Sequence, residues 1–107
     1  MINIVIIYKN NLIEKICAEG HAGAGVYGHD LVCAAVSASI TGCMNTLLHG
    51  YDYHIELKEG YFLFENNKKV DSYHDNVVLE TLITTLKTIN ESRPQNIRIE
   101  ENYIHES

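Results

Sequence analysis

The chain has 107 residues, 46% of them hydrophobic and 21% charged, which is the size of a single domain with one hydrophobic core. With 8 Lys and Arg against 14 Asp and Glu, the formal net charge is −6. Such an acidic chain lacks the cationic surface that holds nucleic-acid phosphates. The three cysteines are odd in number and none is spaced C-x-x-C, which disfavours a disulfide scaffold or a structural zinc site.

The N-terminal residues predict neither export nor a membrane span. Their apolar run is short, and no basic segment precedes it. Free thiols suit a reducing compartment. We therefore expect one cytoplasmic domain over residues 1–107, with no membrane partner.

The first twenty residues are predicted to form a β-hairpin. Isoleucines recur at every second position from Ile2, a period typical of a strand. Asn10 and Asn11 supply a turn, because asparagine tolerates positive φ. The returning strand is predicted to carry on one face Ile13, Lys15 and Cys17, and on the other Glu14, Ile16 and Ala18.

A glycine-rich loop and a helix follow this hairpin. Four of the seven glycines lie in residues 20–28, where they give the backbone unusual freedom. Asp30 is a favourable N-cap. Apolar residues then recur at steps of three and four from Val32 to Leu47, which predicts an amphipathic helix of about five turns.

A second hairpin, a second helix and a last strand complete the chain. Residues 53–58 and 61–65 read as strands across a turn at Glu59 and Gly60. Ser72 is predicted to cap the second helix, with Asp75 in an imperfect capping box, and Pro94 ends it. A short strand over residues 97–100 follows. This ββαββαβ order predicts a two-layer α+β domain with a mainly antiparallel sheet packed against two helices.

One part of the chain combines residues that suit nucleophilic catalysis. His21 ends a predicted strand, and Cys33 lies three residues past the helix N-cap. Positive charge at the helix N-terminus stabilises a thiolate and so lowers the pKa of such a cysteine. A thiolate with a histidine is the minimal pair for attack on an amide carbonyl. The unpaired N–H groups there, including that of Cys33, are expected to hold the developing oxyanion.

Neighbouring polar residues have two interpretations each. Asp30 either caps the helix or orients His21, and Ser37, one turn after Cys33, is either a small helix residue or a hydrogen-bonding neighbour of the thiol. Cys33 itself lies on the flank of the apolar stripe and also suits the core. Cys17 and Cys43 are interpreted as packing residues.

Two other kinds of site match parts of this region. Residues 23–28 read G-x-G-x-x-G, the dinucleotide fingerprint, but the strand before them belongs to a hairpin rather than a βαβ unit. His21, His29 and Cys33 are possible zinc ligands, although Asp30 as N-cap leaves His29 outside the helix. We expect neither a cofactor nor a metal.

On its motif the sequence resembles a known family, the bacterial ribosomal-processing cysteine proteases, which are small and often encoded among ribosomal protein genes. The motif comprises Gly20 and His21, then Gly28 and Asp30, then Cys33 and the following Ala-Ala-Val-Ser that ends at Ser37. Length and element order match too, so the resemblance covers essentially the whole chain. It implies that Cys33 is the nucleophile and His21 the general base and acid, with Asp30, Ser37 and Gly20 in supporting positions.

The resemblance also implies a substrate and an assembly. The family removes a short N-terminal extension from large-subunit ribosomal protein twenty-seven, acts as a homodimer, and covers its site with a mobile glycine loop, here containing Gly23, Gly25 and Gly28. A basic ribosomal protein suits an acidic enzyme. The alternative from another class is a non-catalytic homodimeric adaptor that binds a ribosomal or assembly protein, and it predicts an unreactive thiol.

Overall fold

The computed structural model of the chain describes residues 1–21 and 30–106. Within these ranges the elements are strands β1 (Ile2–Lys9) and β2 (Leu12–Gly20), helix α1 (Leu31–Thr46), a 3-10 turn (Gly50–Asp52), strands β3 (His54–Lys58) and β4 (Tyr61–Glu65), helix α2 (Tyr73–Ser92) and strand β5 (Ile97–Ile104). The predicted element order and the α+β class are confirmed.

The strands of the described ranges form one sheet in the order β3-β4-β2-β1-β5. Its neighbouring pairs are antiparallel, except that β1 and β5 run parallel. Both helices pack on the same face and enclose one core. The sheet side of this core includes Ile4, Ile6, Ile16, Phe62 and Phe64, and the helix side includes Val36, Ile40, Leu79, Leu82 and Leu86. In the described part of the chain, neither helix combines the length and apolar character that a membrane crossing requires.

The first hairpin departs from strict alternation at one point. Between Ile7 and Tyr8 the register with β2 slips by one residue, which is a β-bulge. Ile13 consequently shares the buried face with Ile16 and Ala18. The prediction that Ile13 lies on the same face as Cys17 is therefore wrong, because a bulge changes which residues alternate.

The predicted chain reversals are confirmed, but the last strand is longer than predicted. Asn10 and Asn11 have φ of 50° and 68°, and Gly60 has φ of 72°. Strand β5 does not end at residue 100 but pairs with β1 along eight residues, as far as Ile104. Glu101 is accommodated in it because its carboxylate accepts from the Tyr8 hydroxyl at 2.7 Å and binds the Lys87 ammonium at 2.8 Å.

Both predicted helix caps are confirmed, although Asp75 acts differently from the prediction. Ser72 Oγ accepts from the backbone N–H of Asp75 at 3.2 Å. The Asp75 carboxylate does not return to Ser72 as a capping box requires, but is fully buried and accepts from the N–H groups of Leu48 and His49 at 2.9 and 3.1 Å. It also accepts from the Tyr53 hydroxyl at 2.7 Å. Asp75 thereby joins α2 to the segment that follows α1.

Candidate active site

A cavity of about 210 Å³ lies between α1, the end of β2 and the β3–β4 turn. His21 and Cys33 both line it, so the fold brings the two predicted catalytic residues to one site. Its floor is apolar and includes Ile2, Ala18, Val36, Ile40 and Phe62. Glu19, Lys58 and Glu59 add two carboxylates and one ammonium group to its lining. The cavity thus combines a thiol and an imidazole with an excess of one acidic side chain.

The position of His21 depends on Gly20, the last residue of β2. Gly20 has φ of 107°, a backbone conformation that residues other than glycine rarely adopt. A Cβ on Gly20 would also overlap the carbonyl oxygen of Met1. The Gly20 N–H donates to the carbonyl of Gly60 at 3.0 Å. These contacts hold the backbone just before His21, whose side chain is exposed at the cavity.

Cys33 is the third residue of α1 and is half-buried against the core. It lies in the first helical turn, where the helix dipole favours the thiolate. Its own N–H is not free for an oxyanion, however, because it donates to Asp30 Oδ1 at 3.0 Å. The prediction that the Cys33 N–H holds the oxyanion is therefore wrong in this arrangement, since the capping carboxylate already uses that donor.

Asp30 is the N-cap of α1, as predicted, with an extended backbone and a side chain that accepts from Cys33. Its charge lies within one helical turn of the Cys33 thiol. A carboxylate there satisfies a helix donor but opposes a second negative charge nearby. The Asp30 carboxylate therefore stabilises the helix end but disfavours a thiolate at Cys33.

We expect Asp30→Ala to lower the free energy of unfolding by about 1 kcal/mol. Asp30→Asn retains an oxygen that can accept from the Cys33 N–H, so we expect its stability to stay near that of the wild type. Turnover per folded enzyme should change little in Asp30→Ala. Denaturant unfolding and cleavage rates measured on the same preparations test this. A large loss of turnover at full folding would instead assign the carboxylate a role in the reaction, such as orienting His21.

The other two thiols lie in different places from Cys33. Cys17 and Cys43 are both half-buried, and among the described residues neither lines the cavity. Burial raises the pKa of the Cys17 thiol, and the nearby Glu19 raises it further. Burial also raises the pKa of the Cys43 thiol. Both are therefore poor nucleophiles at neutral pH, whereas Cys33 faces an open site.

Ser37 lines the same cavity one turn after Cys33 and is exposed. The sequence did not identify the β3–β4 turn as part of this site, although Leu57 to Tyr61 line it too. Only the dipeptide Glu59-Gly60 marked a turn there. Its meeting with His21 depends on β4 pairing with β2, which is a long-range contact.

Several predicted residues lie outside the described part of the chain. They are the loop glycines Gly23, Gly25 and Gly28 and the possible zinc ligand His29. Within residues 1–21 and 30–106, no three His, Cys, Asp or Glu side chains gather as metal ligands would.

Comparison with known proteins identifies relatives of this chain. A family model described as cysteine protease Prp matches residues 1–98. The ribosomal processing cysteine protease Prp of Staphylococcus aureus is 32% identical over an alignment of 93 residues, and the match covers 81% of this chain and 85% of that protein. The ribosomal processing cysteine protease Prp of Bacillus subtilis is 34% identical over an alignment of 92 residues, and the match covers 79% of this chain and 82% of that protein.

A solved structure extends the likeness to the fold. The crystal structure of the S. aureus protease Prp with a covalently linked product peptide has a TM-score of 0.77 and 30% sequence identity, and the match covers 96% of this chain and 99% of that one. Because these relatives are proteases, the non-catalytic adaptor is not supported. With a family model that matches residues 1–98, the chain belongs to the cysteine protease Prp family and is a peptide-bond hydrolase.

Proposed function

We propose that this cysteine protease removes the N-terminal extension of large-subunit ribosomal protein twenty-seven, with Cys33 as nucleophile and His21 as general base and acid. The observation that carries the proposal is that His21 and Cys33 line one cavity at the N-terminus of α1. The relatives in S. aureus and B. subtilis are ribosomal processing cysteine proteases. A covalently linked product peptide in the S. aureus structure is consistent with acyl transfer to a protein nucleophile.

The proposed reaction has two stages. In the first, the Cys33 thiolate attacks the scissile carbonyl carbon, and the C–N bond breaks as the His21 imidazolium donates its proton to the leaving amine. This leaves the extension as a thioester on Cys33 Sγ. In the second stage, His21 takes a proton from water, whose oxygen attacks the thioester carbonyl. The C–S bond then breaks, Cys33 leaves as the thiolate, and the extension is released with a free carboxyl group. The His21 imidazolium and the Cys33 thiolate are thereby restored for the next cycle.

The electrostatics of the first stage favour this site. The positive end of the α1 dipole faces the thiolate and the carbonyl oxygen that gains charge. The N–H of Cys33 is held by Asp30, so the oxyanion is expected to find its donors elsewhere. The Prp site thus relies on the helix end for the thiolate and on further donors for the oxyanion.

The charge of the protein supports a basic protein substrate. The chain carries a net charge of −6, and the cavity is lined by Glu19 and Glu59 against one lysine, Lys58. Complementary charge raises the rate of encounter between enzyme and substrate. A ribosomal protein with basic residues near its N-terminus has the matching charge.

The test is cleavage of the extended ribosomal protein by the purified enzyme, followed by mass spectrometry. We expect a single cut that leaves the mature N-terminus and a short released peptide. The mature protein without its extension is the matched control and should remain intact. Persistence of the extended protein after prolonged incubation, or cuts throughout both proteins, would contradict the proposed substrate.

We also propose that the protease acts as a cytoplasmic homodimer. Large apolar side chains, among them Leu48, Tyr51 and Tyr73, are exposed on the single chain, and a second copy packed against them would remove them from water. Light scattering coupled to size-exclusion chromatography measures the mass directly. A mass of twice 12.1 kDa is expected, and a mass of one chain across micromolar concentrations would contradict the dimer.

A further inference from the structure

We infer that Gly60, in the β3–β4 turn, is a positioning residue for the His21 imidazole, an inference that rests on the proposed role of His21. A Cβ built on Gly60 would lie 2.9 Å from His21 Nε2 and 3.3 Å from Cε1. Real Cβ atoms essentially never approach that closely, so the ring lies directly against the Gly60 backbone. The turn thereby limits where the imidazole can stand in the cavity.

The backbone around this contact is held in place from both sides. The Gly60 carbonyl accepts from the Gly20 N–H at 3.0 Å, which ties the turn to the residue that precedes His21. Strands β3 and β4 pair up to Lys58 and Tyr61 on either side of the turn. The imidazole, by contrast, is the end of an exposed side chain. A methyl group at position 60 would therefore displace the ring rather than the turn.

Displacement of the imidazole bears directly on the proposed chemistry. Nε2, the nitrogen nearest the Cβ position of Gly60, is at the end of the ring that reaches furthest from the backbone. The ring must approach the Cys33 thiol, the leaving amine and the attacking water in turn. A misplacement of about 1 Å in such a group can cost about 10²-fold in rate. We therefore expect Gly60→Ala to lower kcat about 10- to 100-fold, with a smaller change in KM.

Gly60 also has φ of 72°, so alanine there strains the backbone whatever lies beside it. Asn11→Ala supplies the matched control, because Asn11 has φ of 68° at the far end of β2. Alanine at either position has to adopt a positive φ, but only position 60 touches His21. Asn11→Ala should lose less stability than Gly60→Ala in denaturant unfolding, because asparagine already carries a Cβ, and it should retain the wild-type kcat.

A double-mutant cycle separates positioning of His21 from a general effect on the site. The rate of Cys33 alkylation by iodoacetamide is measured against pH in the wild type, Gly60→Ala, His21→Ala and the double variant. If Gly60 acts through His21, adding Gly60→Ala to the wild type should change the alkylation rate and its pH profile. Adding it to His21→Ala should leave the alkylation rate unchanged within about twofold. Equal effects of Gly60→Ala in both backgrounds, or a wild-type kcat in Gly60→Ala, would overturn the inference. Full cleavage by His21→Ala would instead overturn the proposed function.

Discussion

Replacing Cys33 by serine is expected to lower the cleavage rate by at least about 10³-fold, which is typical when a protease loses its nucleophile. The serine hydroxyl is far less acidic than a thiol, so the helix end that favours a thiolate does not ionise it at neutral pH. Cleavage of the extended ribosomal protein is the measurement. The substitution is small, so the fold should persist. An unfolding curve that matches the curve of the wild type checks this.

The other two cysteines are the controls for this prediction. Cys17→Ser and Cys43→Ala should retain cleavage, because those thiols have raised pKa values and, within the described residues, lie away from the cavity. Alkylation at neutral pH should label Cys33 before either of them. Full cleavage by Cys33→Ser, or loss of cleavage in Cys17→Ser with an intact fold, would show that Cys33 is not the nucleophile.

Replacing Asp75 by alanine is expected to lower the free energy of unfolding by about 3 kcal/mol or more. The carboxylate is fully buried and accepts from Leu48, His49 and Tyr53. Alanine would leave the buried Tyr53 hydroxyl and the part-buried N–H groups of Leu48 and His49 without this acceptor. A loss of this size is a large part of the 5–15 kcal/mol that stabilises a typical domain. Urea unfolding at pH 7 measures it, and a loss below about 1 kcal/mol would contradict the role of this carboxylate.

The same carboxylate predicts a loss of stability in acid. Burial opposes its ionisation, but hydrogen bonds from His74, Leu48, Tyr53 and His49 outweigh burial and lower the pKa of Asp75 from 3.8 to about 2. A lowered pKa stabilises the folded state above the unfolded pKa, and that stability is lost as the pH falls towards the folded value. We therefore expect about 2 kcal/mol to disappear between about pH 4 and pH 2.

Asp75→Asn isolates this contribution from the other carboxylates. Asparagine keeps an acceptor oxygen but cannot ionise, so the two proteins share every other titrating group. The wild type should be more stable than Asp75→Asn at pH 7, and the difference should shrink as the pH falls towards 2. A difference that stays constant from pH 7 to pH 2 would show that the charge of Asp75 does not stabilise the fold.

Much of the fold is predictable because its signals are local. Asn10 and Asn11 mark a turn through their own backbone preferences, Asp30 and Ser72 cap the helices that directly follow them, and Pro94 prevents continuation of α2. Each of these features depends on a few neighbouring residues. The element order follows from them, and with it the α+β class.

The features that were mispredicted depend on distant partners. The bulge in the first hairpin, and with it the face of Ile13, exists only in the register between β1 and β2. Strand β5 extends to Ile104 because β1 offers a full-length parallel neighbour. Asp75 leaves its own helix end to bind the segment after α1. The spacing of residue types along the chain does not reveal these contacts.

The candidate site shows the same division. His21 and Cys33 are candidates because of the glycine-flanked histidine, the helix N-cap and the resemblance to a protease family, and the structure places both at one cavity. The sequence predicted that Asp30 caps the helix and also that the Cys33 N–H binds the oxyanion. Both need the same donor, and in the structure Asp30 uses it. The contact of Gly60 with His21 needs β4 to pair with β2, which brings two distant glycines together. A contact between distant segments is therefore harder to predict than a motif within one segment.

Trapping the covalent intermediate tests the central claim most directly. The enzyme is mixed with the extended ribosomal protein, quenched in acid within the first turnover, digested and analysed by mass spectrometry. We expect the extension to be attached as a thioester to the peptide that contains Cys33. His21→Ala should form less of this thioester. Attachment to Cys17 or Cys43, or rapid product formation with no thioester in either the wild type or a variant with slowed hydrolysis, would contradict the account.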